Sequence, residues 1–187
     1  MSTPVDFEAR YQAEGDPWGY TERQYERDKY AATLDAAGPG PFEAALELGS
    51  SIGVFSALLA PRCRRLDTID GAPTAVREAR RRLADYAQVD VILGQIPDAI
   101  PQRSYDLVVA SEILYYLEPD RLDATLTALE RRTHGGTRLV AVHWRPAGPE
   151  RPFTAADAHA RLHQLPWLRS VSTGGTEDYL LDVLERR

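Results

Sequence analysis

The residues with the clearest chemical potential form a glycine turn between two apolar segments. The first segment ends in Glu47, and the turn after it contains Gly49, Ser51 and Gly53. Twenty-one positions after Gly49, a second apolar segment closes on Asp70. An open parallel sheet binds the adenosine part of a cofactor with this order of strand, glycine turn, helix, strand and acid, and the acid takes the ribose hydroxyls.

The spacing of the small residues distinguishes between adenosine cofactors. A dinucleotide turn follows the pattern G-x-G-x-x-G/A, because its third small residue lets the helix pack closely on the strand. Counted from Gly49, the later positions hold Ser51 and Val54. The bulky, β-branched Val54 disfavours a nucleotide-dependent oxidoreductase, which stays as an alternative. The spacing instead matches E-x-G-x-G-x-G with Ser51 in place of the middle glycine.

Together with three later segments, this turn resembles the first motif of the class I S-adenosylmethionine-dependent methyltransferases. The later segments are Leu93–Pro97 after a third strand, then Tyr105–Ala110 and Ser111–Leu117 in and after a fourth. The resemblance covers residues 43–117. It implies a Rossmann-like α/β fold and S-adenosyl-L-methionine as the cofactor.

The resemblance also implies roles for individual residues. Asp70 would bind both ribose hydroxyls, and Glu47 would polarise the methionyl amino group, directly or through water. The alternative for Asp70 is a turn cap, and the alternative for Glu47 is a surface carboxylate. The other core residues that it assigns to the cofactor are Gly49, Ser51, Gly53, Gly71, Gln95, Ile96 and Ser111.

The N-terminal segment carries a more specific resemblance. Asp16–Tyr20 and Tyr25–Leu34 are similar to the opening segment of nodulation-protein-S-type methyltransferases, and the likeness spans most of residues 7–145. That group consists of compact enzymes that methylate the free amine of a sugar oligomer. The resemblance therefore implies an amine acceptor.

Four residues of this segment form a predicted flap over the cofactor. The aromatic rings of Trp18, Tyr20 and Tyr25 suit a sulfonium, because a cation is attracted to the face of an aromatic ring. Lys29 would pair with the methionyl carboxylate. In the alternative interpretation, the rings cover apolar core and Lys29 is solvated.

The acceptor-side candidates follow the fourth and fifth strands. Ligands bind outside the carboxyl ends of strands in such sheets, so we expect His143 and Trp144 to face the acceptor cavity, beside Glu112 and Tyr115. A neutral imidazole there is a candidate general base. A hydrogen-bonded histidine at a sheet edge is an equally good interpretation of His143.

These observations predict a methyltransferase with a small-molecule acceptor, most simply an amine, whether or not of a sugar derivative. An O-methyltransferase of a small metabolite is the alternative within the class. A nucleotide-dependent oxidoreductase and a non-catalytic cofactor-binding module are alternatives outside it.

Two further patterns indicate other chemistries. The turn also spells G-x-S-x-G with Ser51 at its centre, and a later acid and His143 follow in hydrolase order. An α/β-hydrolase, however, places several strands before its elbow, and only about 45 residues precede this one. His159 and His163 stand four apart on a predicted helix, but without a glutamate in the H-E-x-x-H position they do not predict a metal site.

Alternating segments predict the fold class, α/β with a mostly parallel sheet, as one domain over residues 1–187. A flap and helix occupy 1–40, the helix beginning near Thr21, and the core occupies 41–187. A C-terminal hairpin turning at Gly174-Gly175 is expected to add one antiparallel strand to the edge. The predicted strands lie near 43–48, 66–70, 89–93, 105–110 and 137–144, and the predicted core helices near 53–60, 73–85, 120–132 and 154–164.

Composition limits partners and location. The net charge of −6 argues against nucleic acid as a partner, because phosphate binding needs clustered Lys and Arg. The single cysteine, Cys63, excludes an internal disulfide. Residues 1–6 lack the pattern of a signal peptide, and no apolar run reaches the ~20 residues of a membrane span, so we expect a cytoplasmic protein. Monomer and homodimer both stay open.

Overall fold

A computed structural model describes residues 5–187. The first four residues of the predicted flap, and of the segment judged for a signal peptide, lie outside this range. The helices are α1 (Phe7–Glu14), α2 (Gln24–Ala37), α3 (Val54–Leu59), α4 (Pro73–Arg82), α5 (Pro119–Arg132) and α6 (Ala155–His163). The strands are β1 (Ala45–Leu48), β2 (Leu66–Asp70), β3 (Val89–Leu93), β4 (Tyr105–Ser111), β5 (Thr133–Trp144), β6 (Leu168–Gly175) and β7 (Tyr179–Arg186).

The strands form one seven-stranded sheet in the order β3-β2-β1-β4-β5-β7-β6. β1 pairs in parallel with β2 on one side and with β4 on the other, so the strand order reverses there. The pairs β5–β7 and β6–β7 are antiparallel. The predicted α/β class with a mostly parallel sheet and an antiparallel C-terminal hairpin is confirmed.

Helices cover both faces of the sheet because successive strand residues point to opposite sides. In β1, Leu46 and Leu48 pack into a core shared with α5 and α6. Ala45 packs into a second core, which is shared with α2 and α3. The glycine turn after β1 is thus held between two helical layers.

The C-terminal hairpin departs from the prediction in two ways. It adds two strands, and the last of them, β7, lies between β5 and β6. Gly174 and Gly175 belong to β6 and still pair with Leu181 and Leu180 of β7, so the reversal comes at residues 176–178.

The N-terminal segment also differs from the prediction. α2 begins at Gln24 with Arg23 in the N-cap position. Thr21, the predicted cap, instead binds Oδ2 of Asp16 through its backbone N–H and its hydroxyl. A short helix, α1, precedes it and was not predicted. In residues 5–187, no helix has both the length and the apolarity that a membrane crossing requires.

Candidate active site

A cavity of about 990 Å³ lies across the carboxyl ends of β1 to β5, where the strand order reverses. Ligands of open parallel sheets bind at this reversal point. The cavity wall is built from the ends of these strands, from α1 and the segment before α2, and from the connection between β5 and α6.

Asp70 ends β2 and joins the glycine turn to the second strand. Its Oδ2 accepts a 2.8 Å hydrogen bond from the backbone N–H of Ser51, and its Oδ1 accepts one of 2.9 Å from Ala72. Burial raises the pKa of Asp70, although these backbone N–H groups act in the opposite direction. The backbone hydrogen bonds orient the carboxylate before any ligand binds, and its oxygens can accept further hydrogen bonds from a ligand hydroxyl.

Glycines give the cavity its floor. At Gly49, with a φ of +77°, an added Cβ would lie 3.1 Å from Ile113. At Gly71, a Cβ would lie 2.4 Å from the Gln95 amide nitrogen. Both positions are thus closely packed by neighbouring side chains, and both glycines present bare backbone to the cavity that they line.

Gly53 has a different role, because it does not line the cavity. Its φ is also +77°, and a Cβ there would lie 3.1 Å from both Cα and Cβ of Ala79 in α4. The last glycine of the motif lets the turn pack against α4, outside the cavity wall where the sequence predicted it.

Glu47 is also placed away from the cavity. It points into the layer of α3, where its Oε2 accepts 2.5 and 2.9 Å hydrogen bonds from the hydroxyls of Ser56 and Thr68. It is 2% exposed, and burial raises its pKa to about 7. Its side chain thus ties β1 to β2 and α3, which is neither of the roles expected from the sequence.

Aromatic rings of the N-terminal segment line one side of the cavity and pack against one another. Trp18 lies 5.4 Å from Tyr11 and 5.8 Å from Tyr20, and Phe7 packs edge-on against Tyr116 at 5.0 Å. The Tyr11 hydroxyl donates a 2.6 Å hydrogen bond to Oγ of Ser51. This bond connects α1 to the glycine turn.

Glu8 fixes the other side of α1. Its carboxylate accepts hydrogen bonds from the backbone N–H and the hydroxyl of Thr74 in the first turn of α4. These bonds lower the pKa of Glu8. Tyr11 and Glu8 escaped the sequence analysis because α1 has little apolar periodicity.

Lys29 lies at the centre of a buried ionic cluster. Its Nζ is 2.9 Å from Glu26 and 2.8 Å from Glu112, and its side chain is 2% exposed. Burial lowers the pKa of Lys29, but the two carboxylates outweigh it and hold the pKa above its ordinary value. Glu112 also accepts hydrogen bonds from the Tyr115 hydroxyl and from the Trp144 backbone N–H, so it is committed to neighbours within the protein.

This cluster corrects the role expected for Lys29. With two carboxylates already bound, Lys29 has no uncompensated charge for a ligand carboxylate. Arg23 is a better candidate, since it lines the cavity and no carboxylate of residues 5–187 lies within ion-pair distance of it. An arginine in an N-cap position opposes both the helix dipole and the usual cap preference, which is the signal that sequence reasoning missed.

His143 lies below the cavity floor rather than in its wall. Its Nε2 accepts a 3.1 Å hydrogen bond from the Leu114 backbone N–H, so its proton is on Nδ1 and points to His159 Nε2 at 3.0 Å. His159 must then carry its own proton on Nδ1, which donates to Asp182 at 2.8 Å. The chain of bonds fixes both tautomers.

This arrangement corrects the expected role of His143 as a general base. Both ring nitrogens are used, the side chain is fully buried, and burial holds its pKa well below the ordinary value. The network instead anchors the turn Leu114–Tyr116 to β5, α6 and β7. His163, the other half of the histidine pair, also binds Oδ2 of Asp182, at 2.7 Å.

The structure brings most of the predicted site residues together. Of those named from the sequence, Glu47, Gly53 and His143 do not line the cavity. Those that do are Trp18, Tyr20, Tyr25, Lys29, Gly49, Ser51, Asp70, Gly71, Gln95, Ile96, Ser111, Glu112 and Tyr115.

Comparison with known proteins places this site in a family. The model of the family described as Nodulation protein S (NodS) matches residues 6–139. The chain belongs to the nodulation protein S family. The prediction of this family from the sequence is confirmed, and with it the class I methyltransferase fold.

Individual members of the NodS family are similar over different lengths. Nodulation protein S of Sinorhizobium fredii NGR234 is 31% identical over 147 residues, which are 78% of this chain and 63% of the relative. Nodulation protein S of Rhizobium tropici is 36% identical over 106 residues, or 56% and 44% of the two chains. The matched segments thus span 63% and 44% of the lengths of these two curated relatives.

A crystal structure of the family matches the whole architecture. It is that of N-methyltransferase NodS from Bradyrhizobium japonicum WM9 in complex with S-adenosyl-L-homocysteine. The TM-score is 0.85 with 26% sequence identity, and the match covers 95% of each chain.

Proposed function

We propose that this chain is a methyltransferase that uses S-adenosyl-L-methionine and methylates the amine of a small-molecule acceptor. The observation that carries the proposal is the cavity at the strand-order reversal, which has the oriented carboxylate of Asp70 in its wall together with Glu112, Tyr115 and Trp144. A site of this kind has separate places for a donor and an acceptor.

The residues present fit this cofactor. Asp70 offers free lone pairs to the two ribose hydroxyls, and the bare backbone at Gly49 and Gly71 permits close approach. Arg23 is suited to the methionyl carboxylate. When bound, the cofactor supplies an electrophilic methyl group on a sulfonium, and the rings of Trp18 and Tyr20 in the flap suit that positive charge.

The protein's own groups favour nitrogen over oxygen as the attacking atom. A hydroxyl needs a strong base, whereas an amine needs only to lose its ammonium proton. Glu112 is paired with Lys29, and no histidine of residues 5–187 lines the cavity. This wall has little base strength for an alcohol, but its burial favours the neutral form of an amine.

Glu112, Tyr115 and Trp144 form the acceptor side of the cavity, and their main contribution is then to position the acceptor. The turn that carries Tyr115 is fixed by the hydrogen bond from Leu114 to His143, and Tyr115 itself donates to Glu112. Rigid walls hold an acceptor in one orientation and exclude water, which is worth several orders of magnitude in rate.

Two measurements test the proposal. Calorimetry with S-adenosyl-L-homocysteine and with NAD tests the donor class, and we expect binding of the first only. Mass spectrometry for a +14 product, with matched pairs such as glucosamine and glucose as acceptors, tests the acceptor atom. We expect the amine of each pair to be methylated.

The outcomes separate the alternatives. Binding of NAD in preference to S-adenosyl-L-homocysteine would point to an oxidoreductase. Methylation of glucose as fast as glucosamine would point to an O-methyltransferase. Tight cofactor binding without methylation of any amine in a broad panel would indicate a non-catalytic binding module.

A further inference from the structure

Arg151 is a buried cation in the acceptor side of the cavity wall. It lies in the connection between β5 and α6, and its side chain is only 5% exposed. Its guanidinium carbon lies over three rings, at 4.4 Å from Tyr115, 5.1 Å from Trp144 and 5.5 Å from Tyr116. These rings hold the planar group in place, because an arginine stacks well on aromatic faces.

Arg151 keeps N–H donors without a partner, beyond its contacts with the Pro146 carbonyl and the Tyr116 hydroxyl. One terminal nitrogen donates a 2.8 Å hydrogen bond to the Pro146 carbonyl. Its Nε is buried and has no hydrogen-bond partner among residues 5–187, and the nearest carboxylate oxygen, on Glu150, is 3.6 Å away. A guanidinium has five N–H donors, and a buried donor without a partner is costly.

No carboxylate of residues 5–187 lies within hydrogen-bond distance of the Arg151 guanidinium. Glu112 is bound to Lys29, to the Trp144 backbone and to Tyr115. Glu150 is partly exposed, with 25% of its side chain accessible. Arg151 is thus a buried cation in the cavity wall, and its Nε has no hydrogen-bond partner among residues 5–187.

We propose that Arg151 binds an anionic group of the acceptor, a carboxylate or a phosphate. The acceptor would then carry both an amine to be methylated and an anion that fixes its orientation. Guanidinium suits this role because its donors form a planar fork that matches two oxygens of a carboxylate or phosphate. This inference rests on the function proposed above and defines the substrate class further.

A different occupant of the same place would be an organic cation. If Arg151 moved away, the three rings would form a box that attracts an ammonium group. The unpartnered Nε of Arg151 favours an anion as the occupant. A cation would in addition have to displace Arg151 against charge repulsion.

The experiment compares amines with and without an anionic group. Calorimetry is done on the protein saturated with S-adenosyl-L-homocysteine, using glucosamine against glucosamine 6-phosphate, and ethanolamine against phosphoethanolamine and β-alanine. The last two compounds distinguish phosphate from carboxylate. We expect at least one anionic member to bind about 10- to 100-fold tighter than its parent amine.

Substitutions at Arg151 link this preference to one side chain. Arg151→Gln should abolish the preference, and Arg151→Lys should restore part of it, because lysine keeps the charge but not the fork. Arg81→Gln, which removes an exposed arginine outside the cavity wall, is the matched control and should behave like the wild type.

Several results would overturn the inference. These are equal or tighter binding of the parent amines, no measurable binding of any anionic member, or a preference that persists in Arg151→Gln. Before the amines are added, the protein is titrated with S-adenosyl-L-homocysteine alone. This titration tests the proposed function separately from the role of Arg151. It also serves as the folding check, because Arg151→Gln should bind this compound like the wild type.

Discussion

The backbone N–H of Ser51 donates a 2.8 Å hydrogen bond to Oδ2 of Asp70, so the glycine turn and the end of the second strand hold each other directly. The Ala72 backbone N–H holds the other oxygen. A carboxylate fixed in this way loses little conformational entropy when it takes a ligand hydroxyl. The glycine turn and Asp70 therefore form one structural unit.

We expect Asp70→Ala to weaken the binding of S-adenosyl-L-homocysteine by about 100-fold or more, because two hydrogen bonds to a charged group are lost. Calorimetry measures the change. Asp90→Asn, which alters an exposed carboxylate on β3, is the control and should bind normally. Undiminished affinity in a folded Asp70→Ala protein would refute the ribose assignment.

Glu47 should make stability depend on pH. Its pKa is about 7 in the folded protein, against an ordinary value of 4.5, so the folded state binds more protons than the unfolded state between these pH values. Stability therefore falls as the pH rises through this window, by about 3 kcal/mol at most. Glu47→Gln has no such proton to lose, and its stability relative to the wild type should rise from pH 5 to pH 8.

Urea unfolding of the ligand-free protein at both pH values measures this difference. Glu177→Gln, in the exposed turn of the hairpin, should run parallel to the wild type. Parallel behaviour of Glu47→Gln would show that Glu47 is not a buried titrating group. Because Glu47 lies outside the cavity wall, its substitution should change the affinity for S-adenosyl-L-homocysteine by no more than a few-fold.

The sequence was sufficient for the order of the core elements, but not for the direction in which strand residues point. The bounds of β2 and β3 agree with the predicted ones, and each strand ends directly before a glycine, Gly71 or Gly94. His143 and Trp144 both end β5, but neighbouring strand residues point to opposite faces. Trp144 lines the cavity and His143 is buried beneath it, and no local pattern decides which of the two is which.

Residues in connections were harder still to assign. Arg151 lies in a segment without periodicity, so its burial among Tyr115, Tyr116 and Trp144 depends on contacts that form only in the folded chain. The partners of Lys29 are likewise set by folding, since Glu112 lies 83 positions away along the chain. Spacing within one segment carries no information about such pairs.

Lys29 should be essential for stability, because its removal leaves the Glu26 and Glu112 carboxylates buried without a counter-charge. We expect Lys29→Met to reduce the free energy of unfolding by about 3–5 kcal/mol. Adding Glu26→Gln should recover at least about 1 kcal/mol of this loss, since one of the uncompensated charges is gone.

Urea unfolding of the single and double variants gives the coupling between these residues. The exposed pair of Glu78 and Arg81 provides the control, and Arg81→Met should cost less than about 1 kcal/mol. Equal losses in Lys29→Met with and without Glu26→Gln would contradict a cluster in which the two side chains share their charge.

Substitution of Gly53 tests whether the last glycine of the turn is needed for packing against α4. Gly53→Ala places a Cβ 3.1 Å from Ala79 at a φ of +77°, whereas Gly136→Ala meets no atom within 4 Å at a φ of +90°. Both variants carry the backbone strain of about 1–2 kcal/mol, but only Gly53→Ala adds an overpacking cost of about 1–3 kcal/mol. Urea unfolding should therefore show a clearly larger loss for Gly53→Ala. Equal losses of unfolding free energy in the two variants would mean that α4 can shift to accommodate the added Cβ. The glycine at position 53 would then be needed for its backbone conformation alone.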